Sequence, residues 1–451
     1  MKYYSTNKQI KNKSFKEVLF EGLASDGGLY MPESFPALDK GFLSDLSDKS
    51  FLDIALEVSR KFIDDIPEME LKKLLEDAFN PKAFGGSGDG SSPELAEGFP
   101  TPLVKLSSDL YVEELFHGPT LAFKDFGARF MSRAMGYFLS QNKQELKMIV
   151  ATSGDTGSAV AAGFYGVPNL KVYILYPSGK VSDLQEKQLT TFGGNITAIE
   201  VKGVFDDCQK LAKQILNDKE LNGKGEFSSA NSINFGRLLP QMFYYFYGYG
   251  LLRKIEKDKE IVFSVPSGNF GDLTAGLMAK RIGLPVKRFI ASCNVNDVVP
   301  EYLASGIYTP RSSEKIVPTM SNSMNVGNPS NFARMLDMYG NSVEAMRLDI
   351  IGETVDEIET ADTIKSVFEK TGYLIDTHTS VAVRGAEKSG IKDSIIALST
   401  AHPVKFKDSI EPIIGKKIEI PEKLKETMNK EKKAILIGND IEELKNILRK
   451  K

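Results

Sequence analysis

The sequence predicts an α/β protein, with parallel sheets covered by helices on both faces and a mainly helical N-terminal region in front. Three observations carry this. The chain has 451 residues, more than one hydrophobic core serves, so two or three domains are expected. The first eighty residues place apolar side chains at helical spacing. Beyond residue 99, short apolar runs alternate with helical patterns, the texture of parallel strands joined by crossover helices.

In the N-terminal part, Ser14 caps the segment Phe15 to Leu23, with Glu17 at the capping-box position. Phe51 to Phe62 and Met69 to Phe79 follow as helices. The stretch Gly85 to Pro93 has the glycine content of a dinucleotide loop. No strand precedes it and no helical pattern directly follows, so it reads as a surface linker. The regions are therefore 1–98, mainly helical, and 99–451, the core. In the core, strands are expected at Met148–Ala151, Val172–Tyr176, Ile196–Val201, Ile261–Val265, Phe289–Ala291 and Ile395–Leu398. Helices are expected at Ser158–Phe164, near Asp183–Leu189, and at Leu273–Lys280. The lysine-rich tail after Pro421 reads as a solvated helical end.

Composition excludes several classes. The hydrophobic fraction of 41% and charged fraction of 26% are those of a globular protein. A net charge of −3 offers no attraction to nucleic acid or to a membrane surface. Cys208 and Cys293 lack CxxC spacing, which argues against a disulfide framework or a zinc site and fits a reducing compartment. The first residues lack the apolar core of a signal peptide, and no apolar run reaches bilayer length, so a cytoplasmic location is expected.

Ligands of parallel sheets bind at the carboxyl ends of the strands. Three turns there share a signature of Gly, Ser, Thr and Asn after an apolar strand. They are Thr152-Ser153-Gly154-Asp155-Thr156-Gly157, Pro266-Ser267-Gly268-Asn269-Phe270-Gly271-Asp272, and Ser399-Thr400-Ala401-His402-Pro403. Glycine lets backbone N–H groups approach an anion, and a following helix adds its dipole. Neither of the first two has the Gly-Lys-Ser/Thr ending of a nucleotide triphosphate loop. Any one could be a plain tight turn; three at matching sheet ends suggest a binding site.

Upstream, His117-Gly118-Pro119-Thr120-Leu121-Ala122-Phe123-Lys124-Asp125-Phe126 sets a lysine in apolar company at a helix start. A helix N-terminus and desolvation both lower an amine's pKa, as a Schiff-base lysine requires. From this segment alone, an exposed lysine paired with Asp125 is the simpler reading. The three histidines, His117, His378 and His402, suit structural or hydrogen-bonding roles and give no metal site.

Several segments carry a family resemblance. Lys2-Tyr3, Ser5-Thr6, Ser14-Phe15, Gly22 to Pro32, His117 to Gly127, Asn231 to Asn234 with Arg237 to Gln241, Val326 to Phe332, and Ser399 to Pro403 occur in order along the chain. Together they resemble the threonine synthases, in the bacterial and fungal form. These are pyridoxal-phosphate (PLP) enzymes of fold type II, related to the tryptophan synthase β subunit. Phe235-Gly236 and Asn325 depart from the family's pattern.

The resemblance implies two α/β lobes, the smaller at roughly 130–235, which closes over the site. It implies PLP carried by Lys124, which also shuttles protons. Gly268, Asn269, Phe270, Gly271 and Asp272 would hold the cofactor phosphate, and Thr400 the pyridine nitrogen. Ser153, Gly154, Asp155 and Thr156 would grip a substrate carboxylate. Asp155 is electrostatically awkward there, so backbone N–H groups and hydroxyls are expected to bind that anion. The implied reaction turns O-phospho-L-homoserine and water into L-threonine and phosphate, in a monomer or homodimer. Arg237 and Lys405 are the candidate partners of the substrate phosphate, with structural ion pairing the alternative for each. Competing readings are a phospho-lyase releasing 2-oxobutyrate and a non-catalytic homologue.

Overall fold

The apolar runs that lie between helical segments become the central strands of two parallel sheets. The computed structural model describes residues 1–84, 100–142, 145–222 and 226–449. The Gly85–Pro93 linker and the boundary near residue 98 lie outside these. In chain order the strands are β1 (Tyr3–Ser5), β2 (Tyr30–Pro32), β3 (Leu103–Lys105), β4 (Leu110–Glu114), β5 (Leu146–Ala151), β6 (Leu170–Pro177) and β7 (Ile196–Val201). They continue with β8 (Phe227–Ser228), β9 (Ile261–Pro266), β10 (Arg288–Cys293), β11 (Ile350–Thr354), β12 (Ser394–Ser399) and β13 (Ala434–Ile437).

The larger sheet has the order β11-β10-β9-β12-β4-β3, parallel except for β3. Every residue of β9 and β12 is buried, as helices on both faces require. The smaller sheet has the order β13-β7-β6-β5-β8 and is wholly parallel. All six expected strands form. β4 was missed because its Glu113 and Glu114 break the apolar run, yet both are buried.

The C-terminal tail corrects the expectation of a solvated helical end. It contains helices Glu422–Met428 and Ile441–Arg449, with β13 between them paired to β7. Leu444 and Leu448 are buried at helical spacing against the smaller sheet's core. The lysines around them hid this stripe. The smaller sheet thus draws on residues beyond the expected 130–235.

The N-terminal region shares the main core. Ser14 and Glu17 form the expected capping box, and Phe51–Phe62 is helical as expected, with its own capping box from Ser50 and Asp53. A short antiparallel ribbon of β1 and β2 joins these helices. The rings of Phe51, Phe79 and Phe84 pack around Phe126 at centroid distances of 5.7, 5.8 and 4.7 Å. Phe126 belongs to helix Lys124–Asn142, so this cluster of large apolar rings anchors the first turn of the helix that Lys124 begins.

Candidate active site

Between the carboxyl ends of the two sheets lies a cavity of about 950 Å³. Lys124 reaches it from a turn built around Asp125. That carboxylate is fully buried and accepts the Thr120 N–H and hydroxyl, both at 2.8 Å. Gly118 is required there, because an added Cβ would lie 2.4 Å from Asp125 Oδ2. Leu121 follows with a left-handed φ of 57°. Asp125 is therefore occupied with the turn, and the pairing of Lys124 with Asp125 is not made.

Lys124 Nζ instead stands 3.4 Å from Asp155 Oδ2. Burial lowers the Lys124 pKa; Asp155 opposes this, and the charges of Lys405 and Arg237 add to it. Asp155 begins helix Asp155–Phe164 behind β5. Its Oδ1 accepts Lys405 Nζ at 2.8 Å and Gln185 Nε2 at 2.9 Å. Burial alone would raise this carboxyl, but the Lys405 and Lys124 ammoniums hold it well below the usual carboxylate range.

The loop after β9 leads into helix Gly271–Arg281, with Phe270 left-handed at φ 60° in the capping position. Among the described residues, the N–H groups of Gly268, Asn269, Phe270, Gly271 and Asp272 have no protein acceptor. Five free donors at a helix N-terminus are a ready anion site. Gly268 must be glycine: a Cβ would lie 2.7 Å from the backbone Cα of Met324. The loop is clasped from outside, where Asn269 Oδ1 accepts the Ser330 hydroxyl at 2.9 Å and Asn269 O accepts the Asn331 N–H at 3.2 Å. Arg334, fully buried, joins Asn331, the Ile233 carbonyl and the Tyr30 carbonyl. A lone arginine in an unremarked helical segment gave no sequence signal for this tie.

The cavity wall includes Lys124, Ser153, Asp155, Thr156, Arg237, residues 268–272 and Thr400. Three expectations change. The Asp272 carboxylate turns to the Tyr244 and Tyr245 hydroxyls at 2.7 and 2.8 Å, leaving only its N–H for an anion. Burial pushes this carboxyl up to about 6, against those hydroxyls. Gly154 is off the wall: its N–H is spent on Thr152 Oγ1 at 2.9 Å, and a Cβ would meet Gln185 at 2.6 Å. Lys405 is also off the wall, with its side chain at 0% exposure and its ammonium divided between Asp155 and the Thr120 carbonyl at 2.9 Å. In this structure it forms an internal ion pair and presents no donor to the cavity.

Arg237 does face the cavity. It sits in the short helix Phe235–Leu238, donates from Nη1 to the Ala230 carbonyl at 2.7 Å, and keeps a buried, unpartnered Nε. Burial pushes it down to about 10, still cationic at neutral pH. His378 also lines the cavity. Its Nδ1 meets Asp376 at 2.9 Å, and its Nε2 accepts the Ser323 N–H at 3.2 Å, a positioning arrangement. His117 lies off the wall, bonded to Glu114 at 2.7 Å. Asn325 uses its Oδ1 to accept from Thr319 at 2.6 Å and Asn294 at 3.0 Å, an acceptor role that an aspartate would also fill. Among the described residues no group of acidic, histidine or cysteine side chains could hold a metal.

A desolvated lysine faces an anion loop across a cavity where two parallel sheets end, and the Thr400 hydroxyl on the wall has no partner among the described residues. These features fit PLP, whose phosphate needs the free N–H groups and whose aldehyde needs the amine. Residues 95–400 match the family model for pyridoxal-phosphate dependent enzymes, and the protein is one of that class. Residues 2–79 match the threonine synthase N terminus and residues 379–448 the threonine synthase C-terminal model. The threonine synthase of Escherichia coli is 40% identical over 94% of this chain and 94% of its own length. Its crystal structure superposes with a TM-score of 0.87 at 38% identity, covering 99% of each chain. PLP-bound threonine synthase from Brucella melitensis gives 0.90 at 33% identity, covering 100% of this chain and 99% of the other. The chain belongs to the threonine synthase family.

Proposed function

We propose that the protein converts O-phospho-L-homoserine and water into L-threonine and phosphate. The observation that carries this is the presence of three anion-binding elements around one amine in a single cavity. The substrate and cofactor together bring three anions: the cofactor phosphate, the substrate carboxylate and the substrate phosphate. The loop 268–272 suits the first through its free N–H groups. The Asp155 and Thr156 N–H groups at the head of the 155–164 helix, which have no protein acceptor among the described residues, suit the second with the Ser153 hydroxyl. Arg237, a cation on the cavity wall, suits the third.

When bound, PLP delocalises the charge that develops as the substrate's α proton leaves. Lys124 Nζ takes that proton and later returns one. Thr400, on the cavity wall, would hold the cofactor's ring by its hydroxyl. Arg237 would balance the charge of the phosphate as a proton leaves Cβ and the Cγ–O bond breaks. Cγ then gains a proton, and water gives its hydroxyl to Cβ and its remaining proton to the released phosphate. The two lobes shield this sequence from solvent, and closure of the smaller lobe would complete the shield. The same reading divides the chain near residue 98 into a helical front region and a two-lobed core. It takes the protein as a cytoplasmic monomer or homodimer. Free, buried Cys208 and Cys293 are in keeping with a reducing compartment, and no described helix is long and apolar enough to cross a membrane.

The test is to incubate purified, PLP-loaded protein with O-phospho-L-homoserine and follow phosphate and amino acid together. Equal release of phosphate and threonine is expected. Release of 2-oxobutyrate and ammonia in place of threonine would make the protein a phospho-lyase. Absence of any phosphate release would refute both.

A further inference from the structure

Lys405 and Lys124 share one carboxylate across the two lobes. Lys405 comes from the turn Pro403–Phe406 just past β12 of the larger sheet, and Asp155 from the helix behind β5 of the smaller one. Lys405 Nζ holds Asp155 Oδ1 at 2.8 Å, and Gln185 Nε2 holds the same oxygen at 2.9 Å. Lys124 Nζ has only the other oxygen, at 3.4 Å. The Lys405 side chain is fully buried and away from the cavity, while Lys124 is on its wall. A fully buried ammonium is costly and persists only when closely paired, so Lys405 claims the Asp155 charge first. Lys124 is left weakly paired, with Lys405 and Arg237 both repelling a proton from its amine.

We propose that Lys405 is a positioning residue that takes up the Asp155 carboxylate and so leaves the Lys124 amine free to act as nucleophile and proton carrier. This rests on reading Lys124 as the reacting amine. The charged groups around the pair are few. Asp155 faces Lys405 and Lys124, and Lys124 feels Asp155, Lys405 and Arg237. Asp272 lies within electrostatic range of Lys124, and Asp125 within range of Lys405. Removing Lys405 converts a shared carboxylate into one that serves Lys124 alone. The Lys124 ammonium is then favoured, and its neutral fraction at a given pH falls.

The experiment reads Lys124 directly. The full-length chain, stripped of cofactor, is acetylated over a range of pH, and the rate at Lys124 is followed by peptide mass spectrometry. In Lys405→Met the midpoint for Lys124 should rise by about one unit, slowing its labelling roughly tenfold below that midpoint. Lys405→Arg, which keeps the charge, should restore the wild-type midpoint. A simple structural strut would change folding stability in Lys405→Met without moving the Lys124 midpoint. If Lys405→Met does not fold, Lys405→Gln, which removes the charge but keeps a polar donor for Asp155 and the Thr120 carbonyl, carries the same test: the Lys124 midpoint should again rise. A stationary midpoint in the folded variant, or an equal shift in Lys405→Arg, overturns the inference. Borohydride trapping of PLP in the wild-type protein separates the two levels of failure. A label on a lysine other than Lys124 refutes the underlying reading, whereas a label on Lys124 with a stationary midpoint refutes only the role of Lys405.

Discussion

Replacing Gly268 with alanine puts a methyl group where the backbone of another segment already lies. The new Cβ would sit 2.7 Å from Met324 Cα and 3.0 Å from the Ser323 carbonyl oxygen, where ordinary contact begins at 3.4 Å. Both obstacles are backbone, so neither can swing aside as a long side chain would. The 268–272 loop or the 321–325 segment must move by several tenths of an ångström. Such a displacement takes an N–H···O bond of about 2.9 Å toward the edge of its useful range. A hydrogen bond to a charged group contributes about 1.5–3 kcal/mol, so weakening one or two predicts PLP affinity lower by roughly 10- to 1,000-fold. Equilibrium dialysis of PLP against the variant, followed by near-visible absorbance, measures this. Affinity for substrate in the fully PLP-loaded variant should change much less. Gly268→Val should be worse than alanine on the same assay. Undiminished PLP retention in a folded Gly268→Ala protein would refute the assignment of this loop to the cofactor phosphate.

The other predictions concern single charged groups. Lys124→Ala should abolish turnover while leaving non-covalent PLP binding measurable, and any sustained threonine formation would assign the proton carrier elsewhere. Arg237→Gln should lower kcat by about 10²- to 10³-fold with the spectrum of bound PLP unchanged; near-normal kcat and KM would show that another cation holds the substrate phosphate. Asp272 is pushed up to about 6 from an ordinary 3.8, so between these values the folded state binds more protons than the unfolded one. Stability from this group therefore falls as pH rises from about 4 to 6, and the cost, on the order of 3 kcal/mol, remains in full above that range. Asp272→Asn should accordingly be relatively more stable at pH 7.5 than at pH 4.5 in thermal unfolding, and an equal Tm change at both pH values would contradict this.

Segments whose signal is local were legible in the sequence. The helix Phe51–Phe62 and strand Ile196–Val201 formed with the expected bounds, because capping residues and apolar spacing act within a few residues. The glycine-rich turn at 268–271 between strand and helix was legible for a similar reason, although by itself it could have been a plain tight turn. The family motifs placed Lys124 by comparison with relatives, whereas the segment by itself favoured an exposed lysine paired with Asp125.

What tertiary structure alone decided depends on which distant segments meet. Asp272 keeps its N–H for the loop, but only the structure shows that Tyr244 and Tyr245, from the preceding helix Gln241–Ile255, claim its carboxylate. The tail could be read as solvated until β13 was seen to pair with β7, more than 230 residues earlier in the chain. Lys405 follows a family motif and is a cation, which made it a candidate for an anionic substrate. Its side chain instead crosses between lobes to Asp155, some 250 residues away in sequence. Periodicity and turn chemistry report a residue's own neighbourhood. The partner of a buried charge is set by desolvation, which penalises every arrangement except the one in which opposite charges from remote segments are brought into contact.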